Sequence, residues 1–110
     1  MKPVVFAALL MIATFARAAD APDAASIYKA NCEVCHGADG KGKTVMGKAL
    51  HVRDLGSEEV QKMKGEKLEK IIADGKGKML PFKGKLSEAE IDSLVKLIRT
   101  FRQKKESAIK

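Results

Sequence analysis

Five consecutive residues constrain this chain more than any other feature: Cys32-Glu33-Val34-Cys35-His36. C-x-x-C-H is the attachment signature of a c-type haem. Near the end of a helix, residues i and i+3 lie on one side, so both thiols can reach the two vinyl groups of one porphyrin. The adjoining imidazole can turn beneath the ring and ligate its iron. The motif uses both cysteines of the 110-residue chain. A multi-disulfide scaffold and a four-cysteine zinc or iron–sulfur site are therefore excluded. A thioredoxin-like C-x-x-C needs a βαβ pattern, and no such pattern is visible. Zinc held by Cys32, Cys35, His36 and His51 would place two adjacent residues on one tetrahedral ion, without the finger spacing.

The N-terminus indicates where the motif is used. Lys2 precedes an uncharged stretch from Pro3 to Ala16, and Ala16-Arg17-Ala18 follows. This is the order of a secretory signal peptide. Cleavage is expected after about Ala18, which gives a leader over 1–18 and one domain over 19–110 in the periplasm. The apolar stretch is shorter than the roughly 20 residues of a spanning helix, so no stable membrane insertion is expected after cleavage. Charged residues make up 32% of the chain, but hydrophobic residues make up 45%, too apolar a balance for a disordered polycation. Beyond the leader the aromatic residues are Tyr28, Phe82 and Phe101. A domain with so small a core often needs a cofactor to complete it.

The periodicity predicts an all-α domain. Residues 23–35 read as one helix capped by Asp23, with Ile27, Ala30, Asn31 and Val34 on a shared face. Gly37 to Lys43 reads as loop, and the region up to Leu55 as loop with a turn of helix at most. Ser57-Glu58-Glu59 opens a short helix that Gly65 interrupts. Glu66 to Ala73 forms the next helix, with Leu68, Ile71 and Ile72 at helical spacing and Gly75 beyond its end. In the last helix Ser87 and Glu90 form a capping box, and Leu86 can staple onto Ile91. Ile91, Leu94, Val95, Ile98 and Phe101 make its apolar stripe. The tail from Gln103 to Lys110 is polar and is expected to fray.

A second axial ligand has four candidates: Met46, Met63, Met79 and His51. Met63 shares an apparently helical segment with Val60, where methionine usually fills core. Met46 lies in a Thr44-Val45-Met46-Gly47 loop and is the second choice. His51 reads better as an exposed loop histidine, and a His/His iron would sit at a lower potential than a His/Met one. Met79 stands in a loop between two helices, where Gly75 and Gly77 permit close backbone approach and Pro81 stiffens the exit. Met79 is preferred.

Together these residues resemble the small monohaem class I c-type cytochromes of bacteria. The resemblance runs from Ile27-Tyr28 through the C-x-x-C-H and Gly37 to the terminal helix. Gly75, Gly77, Met79, Pro81 and Phe82 look like the family's distal-ligand loop, and Arg53-Asp54-Leu55 looks like its middle-loop signature. The family implies crossed N- and C-terminal helices, with shorter helices and loops around one haem and a helix near 66–74 beside it. Leu97 stands where an aromatic residue is common in the terminal helix, and Leu80 separates Met79 from the proline.

With His36 and Met79 both bound to iron, no coordination position remains open for a substrate. The expected function is that of a one-electron carrier with a single haem c on Cys32 and Cys35, not that of an enzyme. Lys76, Lys78, Lys83 and Lys85 bracket the Met79 loop, and Lys41, Lys43 and Lys48 follow the attachment site. Lysines ringing a haem edge would steer acidic-surfaced redox proteins into contact. Nucleic acid is not an expected partner, because the lysines lack interleaved aromatics. The carrier is expected to be a monomer. The competing readings are a gas-binding or peroxidase protein with a labile distal ligand, and a bound electron-transfer subunit of a larger oxidoreductase.

Overall fold

Ala24–Asn31 forms α1 because Asp23 caps it: its side chain accepts from the Ser26 backbone N–H at 3.4 Å and from the Ser26 hydroxyl at 2.6 Å. The computed structural model describes residues 2–4 and 23–107. The expected leader over 1–18 therefore lies almost wholly outside the described residues, as does the expected start of the domain. The single helix expected over 23–35 is two. Cys32 has φ −115°, far from the helical value, and the chain restarts as α2, Glu33–His36.

Four further helices follow: α3 (Val45–Leu50), α4 (Glu58–Gln61), α5 (Gly65–Asp74) and α6 (Glu88–Ser107). There is no strand among the described residues, only isolated bridges between Lys76 and Met79 and between Lys83 and Leu86. The all-α expectation holds. Two expectations do not. The stretch before Leu55 holds the six-residue α3, started by Thr44, whose side chain accepts from the Gly47 N–H. The helix of the C-terminal segment continues to Ser107 rather than ending near residue 103.

The core lies where α1, α4 and α5 meet α6. It consists of Tyr28, Val60, Leu68, Ile72, Phe82, Ile91, Leu94, Val95, Ile98 and Phe101. All five predicted stripe residues of α6 are in it, and burying each such side chain stabilises the fold by about 1.5–3 kcal/mol. The buried residue of α1 is Tyr28, whose ring meets Phe101 with centroids 5.6 Å apart at 53°. The aromatic residue of the terminal helix that meets α1 is thus Phe101, one turn beyond Leu97. Val34 is 63% exposed, not buried, because the break at Cys32 shifts everything after it out of phase with α1.

Buried polar groups fix α4 to α6. The Gln61 Nε2 donates to the Leu55 and Ile98 carbonyls at 2.7 and 2.8 Å. Arg99 answers from α6, its guanidinium donating to the carbonyls of Gln61 and Met63 at 2.7 and 2.6 Å. The three that reach between α6 and the α4 segment join residues 36 to 38 positions apart in sequence.

Candidate functional site

The C-x-x-C-H segment occupies the junction between α1 and α2. Cys32 ends the first helix, its N–H donating to the Tyr28 carbonyl at 2.8 Å, and its own carbonyl accepts from the His36 N–H at 2.9 Å. One turn thus carries both thiols and the imidazole. Both cysteines are free and partly buried. Burial, and secondarily the neighbouring Cys35, pushes the Cys32 thiol up to about 11. Among the described residues no group of three or more His, Cys, Asp or Glu side chains is placed to hold a metal ion, which disfavours the zinc reading.

The His36 ring is largely enclosed. Burial holds its pKa below the usual value, and the Arg53 backbone, which favours the protonated ring, only partly offsets this. Its Nδ1 is buried and forms no hydrogen bond. A neutral imidazole is the form that ligates iron.

α3 is seated directly on this turn. The Thr44 hydroxyl reaches the Val34 and Cys35 carbonyls at 2.8 and 2.9 Å. A Cβ on Gly47 would collide with the Cys35 and Gly42 carbonyl oxygens, so only glycine permits the approach. Arg53 and Asp54 follow, with the Asp54 carboxylate accepting from the Gly56 N–H at 2.8 Å and closing a turn.

Of the other candidates, Met46 lies on α3 and is 46% exposed, while His51 is the exposed, left-handed C-cap of that helix at φ 53°. Met63 lies just past α4 and packs on the core. Met79 also packs on the core, and so does Cys32, so one apolar cluster supports both the attachment turn and the Met79 loop. That loop is pinned to the end of α5. Phe82 and Lys83 donate to the Ile72 and Ala73 carbonyls at 3.1 and 2.9 Å, and the Met79 N–H bonds the Lys76 carbonyl at 3.0 Å. Gly75 ends α5 at φ 75°, and a Cβ there would press on the Met79 carbonyl and the Pro81 nitrogen. Leu80, beside Met79, leaves 65% of its surface exposed.

These residues fit a covalently held haem. A turn presents two part-buried thiols and an imidazole whose buried Nδ1 has no hydrogen-bond partner, and a part-buried thioether stands on the same core. Three features were not legible in the sequence: the Tyr28 hydroxyl, which donates to the buried Gly37 carbonyl at 2.6 Å, the Thr44 hydroxyl, and the Arg53 backbone. Thr44 alone had a local signal, as a threonine preceding a helix.

A family model described as cytochrome C oxidase, cbb3-type, subunit III matches residues 19–98. Cytochrome c6 of Picosynechococcus sp. is 32% identical over 108 residues, 89% of this chain and 92% of that protein. Cytochrome c6 of Nostoc sp. is 35% identical over 101 residues, 86% of this chain and 88% of that protein. Among solved structures, the KustC0563 c-type cytochrome has a TM-score of 0.67 at 36% identity, covering 72% of this chain and 96% of that one.

Proposed function

This chain belongs to the c-type cytochromes, and we propose that it shuttles single electrons between exported redox partners, with His36 and Met79 as the axial ligands of its haem. Its fold is the all-α fold of class I cytochromes c. It carries covalently bound haem c and is an electron-transfer protein rather than an enzyme. When bound, the haem supplies a one-electron iron couple.

The protein residues do the rest. Cys32 and Cys35 hold the macrocycle by thioether bonds, so a small diffusing protein does not lose it. His36 and Met79 would both ligate its iron, which would leave no place for oxygen or a substrate. Thioether ligation stabilises the reduced iron and raises the potential. A loop fixed at both ends by backbone hydrogen bonds keeps Met79 in place through the redox change, so reorganisation is small. The observation that carries the choice of Met79 is its part-buried place on the core shared with Cys32, in a loop between α5 and α6, set against the exposure of Met46 and the place of Met63 at the end of α4.

The leader-like N-terminus supports export to the periplasm. No helix among the described residues is long and apolar enough to cross a membrane. Acidic-surfaced proteins are the proposed partners, met by a monomer at the lysine-flanked loop.

One observation favours a second reading: the matched family model describes an oxidase subunit. Against it, the two cytochrome c6 relatives are covered over 92% and 88% of their own length. Recovery of the native protein in a stoichiometric complex with a membrane oxidase would favour the subunit.

Visible spectroscopy of the holoprotein tests the ligands. A sharp reduced α-band and a weak far-red ferric band are expected, the latter lost in Met79→Ala and kept in Met46→Ala. Loss of the far-red band in Met46→Ala alone would overturn the assignment.

A further inference from the structure

α2 is four residues long, and a helix that short cannot satisfy its own C-terminal carbonyls. Yet every carbonyl from Cys32 to Gly37 has a donor. The Cys32 and Glu33 carbonyls are bonded within the turn, by the N–H groups of Cys35, His36 and Gly37. The others are held from outside. Thr44 Oγ1 shares its single proton between the Val34 and Cys35 carbonyls at 2.8 and 2.9 Å, the Gly42 N–H serves His36 at 2.8 Å, and Tyr28 Oη serves Gly37 at 2.6 Å beside the Gly40 N–H at 3.1 Å. The two carbonyls flanking that of His36 in sequence, those of Cys35 and Gly37, are therefore gripped by side-chain hydroxyls from other elements.

We propose that Tyr28 and Thr44 are positioning residues that fix the orientation of the His36 imidazole toward the haem iron by clamping the carbonyls on either side of it. The inference rests on the reading of His36 as an iron ligand. The Arg53 backbone meets the ring itself, and the two hydroxyls fix the backbone from which that ring projects. Groups that orient a ligand from behind tune a metal centre as well as support it.

Each hydroxyl is itself immobilised. Tyr28 is 5% exposed and stacked at an angle on Phe101 of α6, so the clamp transmits the packing of α1 on α6 to the attachment turn. Burial, with smaller contributions from the neighbouring Cys32, Asp39 and Glu33, raises the phenol's pKa and keeps it a donor. Thr44 also accepts from the Gly47 N–H at 2.9 Å, which leaves its proton for the attachment turn.

The test compares ferric holoprotein variants by the pattern of paramagnetically shifted haem-methyl NMR resonances, which follows axial-ligand orientation, and by midpoint potential. Tyr28→Phe, which removes one oxygen and keeps the ring, is expected to rearrange the methyl pattern or move the potential. Thr44→Val is expected to do the same, and it carries the test if Tyr28→Phe does not accumulate. Ser87→Ala, which weakens α6 at its distant cap, is the control: its unfolding midpoint falls while both reporters stay put. The proposal is overturned if the hydroxyl variants lose stability with neither reporter moving, or if Ser87→Ala moves the reporters equally. A wild-type protein without a His/Met spectrum would instead defeat the functional reading. The clamp can fail while that spectrum is intact.

Discussion

Gly75 has φ 75° and ψ 169°, a region essentially reserved for glycine that costs an L-residue about 1–3 kcal/mol, and a Cβ there would also press on the Met79 carbonyl. Gly75→Ala is therefore expected to cost at least about 1 kcal/mol and to weaken Met79 ligation. The far-red band and the urea midpoint should fall together; an unchanged band would separate the loop's geometry from ligation. The glycine's place past a helix end was legible, because its neighbours set the local pattern. Val34 was not read correctly: periodicity assumes an unbroken phase, and the φ of −115° at Cys32 breaks it. The motif was recognised by residue type. Its surroundings, the Tyr28 hydroxyl on Gly37 nine residues away, depend on how α1 packs and carry no local signature.

Among the helices, those with a cap and an apolar stripe were legible. Ser87 and Glu90 exchange the predicted pair of bonds, at 2.9 and 3.1 Å. Ser87→Ala is expected to lower stability by about 1 kcal/mol, read by urea denaturation of the holoprotein. α3 was missed because it is six residues long with Gly47 at its centre, a residue that lowers helix propensity. It forms because Thr44 caps it and because the close seat on Cys35 requires glycine. The cap of α1 adds a pH dependence. The Asp23 carboxyl is held below its ordinary value of 3.8, first by the Ser26 hydroxyl and then by the Ser26 N–H. A depressed carboxylate stabilises the fold fully above its unfolded pKa, and that contribution is lost as pH falls through the folded one. Unfolding midpoints followed below about pH 4 should therefore fall less steeply in Asp23→Asn, which still caps but does not titrate. Equal slopes would show that the cap contributes nothing in acid.

For the whole molecule, net charge and the lysines bracketing Met79 were legible, but the acidic cluster between α5 and α6 was not. The chain carries a formal +7, and its charges are sorted in space. Glu66, Glu69, Glu88 and Asp92 gather where α5 meets α6; Glu69 is pushed up by desolvation and then by the Asp92, Glu66 and Glu88 carboxylates. Lys76, Lys78, Lys83 and Lys85 are exposed around the Met79 loop, and none of them is in an ion pair among the described residues. Unpaired charges of one sign beside a redox centre raise the rate of encounter with an oppositely charged partner by 10-fold or more at low salt. Position can be separated from net charge. Lys64 and Lys67 lie at the other end of α5, a ten-residue helix about 15 Å long. That exceeds the Debye length of about 8 Å at physiological ionic strength. Lys76→Glu with Lys83→Glu is expected to lower the second-order rate with an acidic-surfaced partner by about tenfold. Lys64→Glu with Lys67→Glu, the same change in charge, should lower it far less. The two pairs should converge with wild type in stopped-flow measurements as salt rises and screening erases the field. Equal losses from both pairs would mean that the protein is drawn in by its total charge, and that the lysines around Met79 only keep their loop solvated.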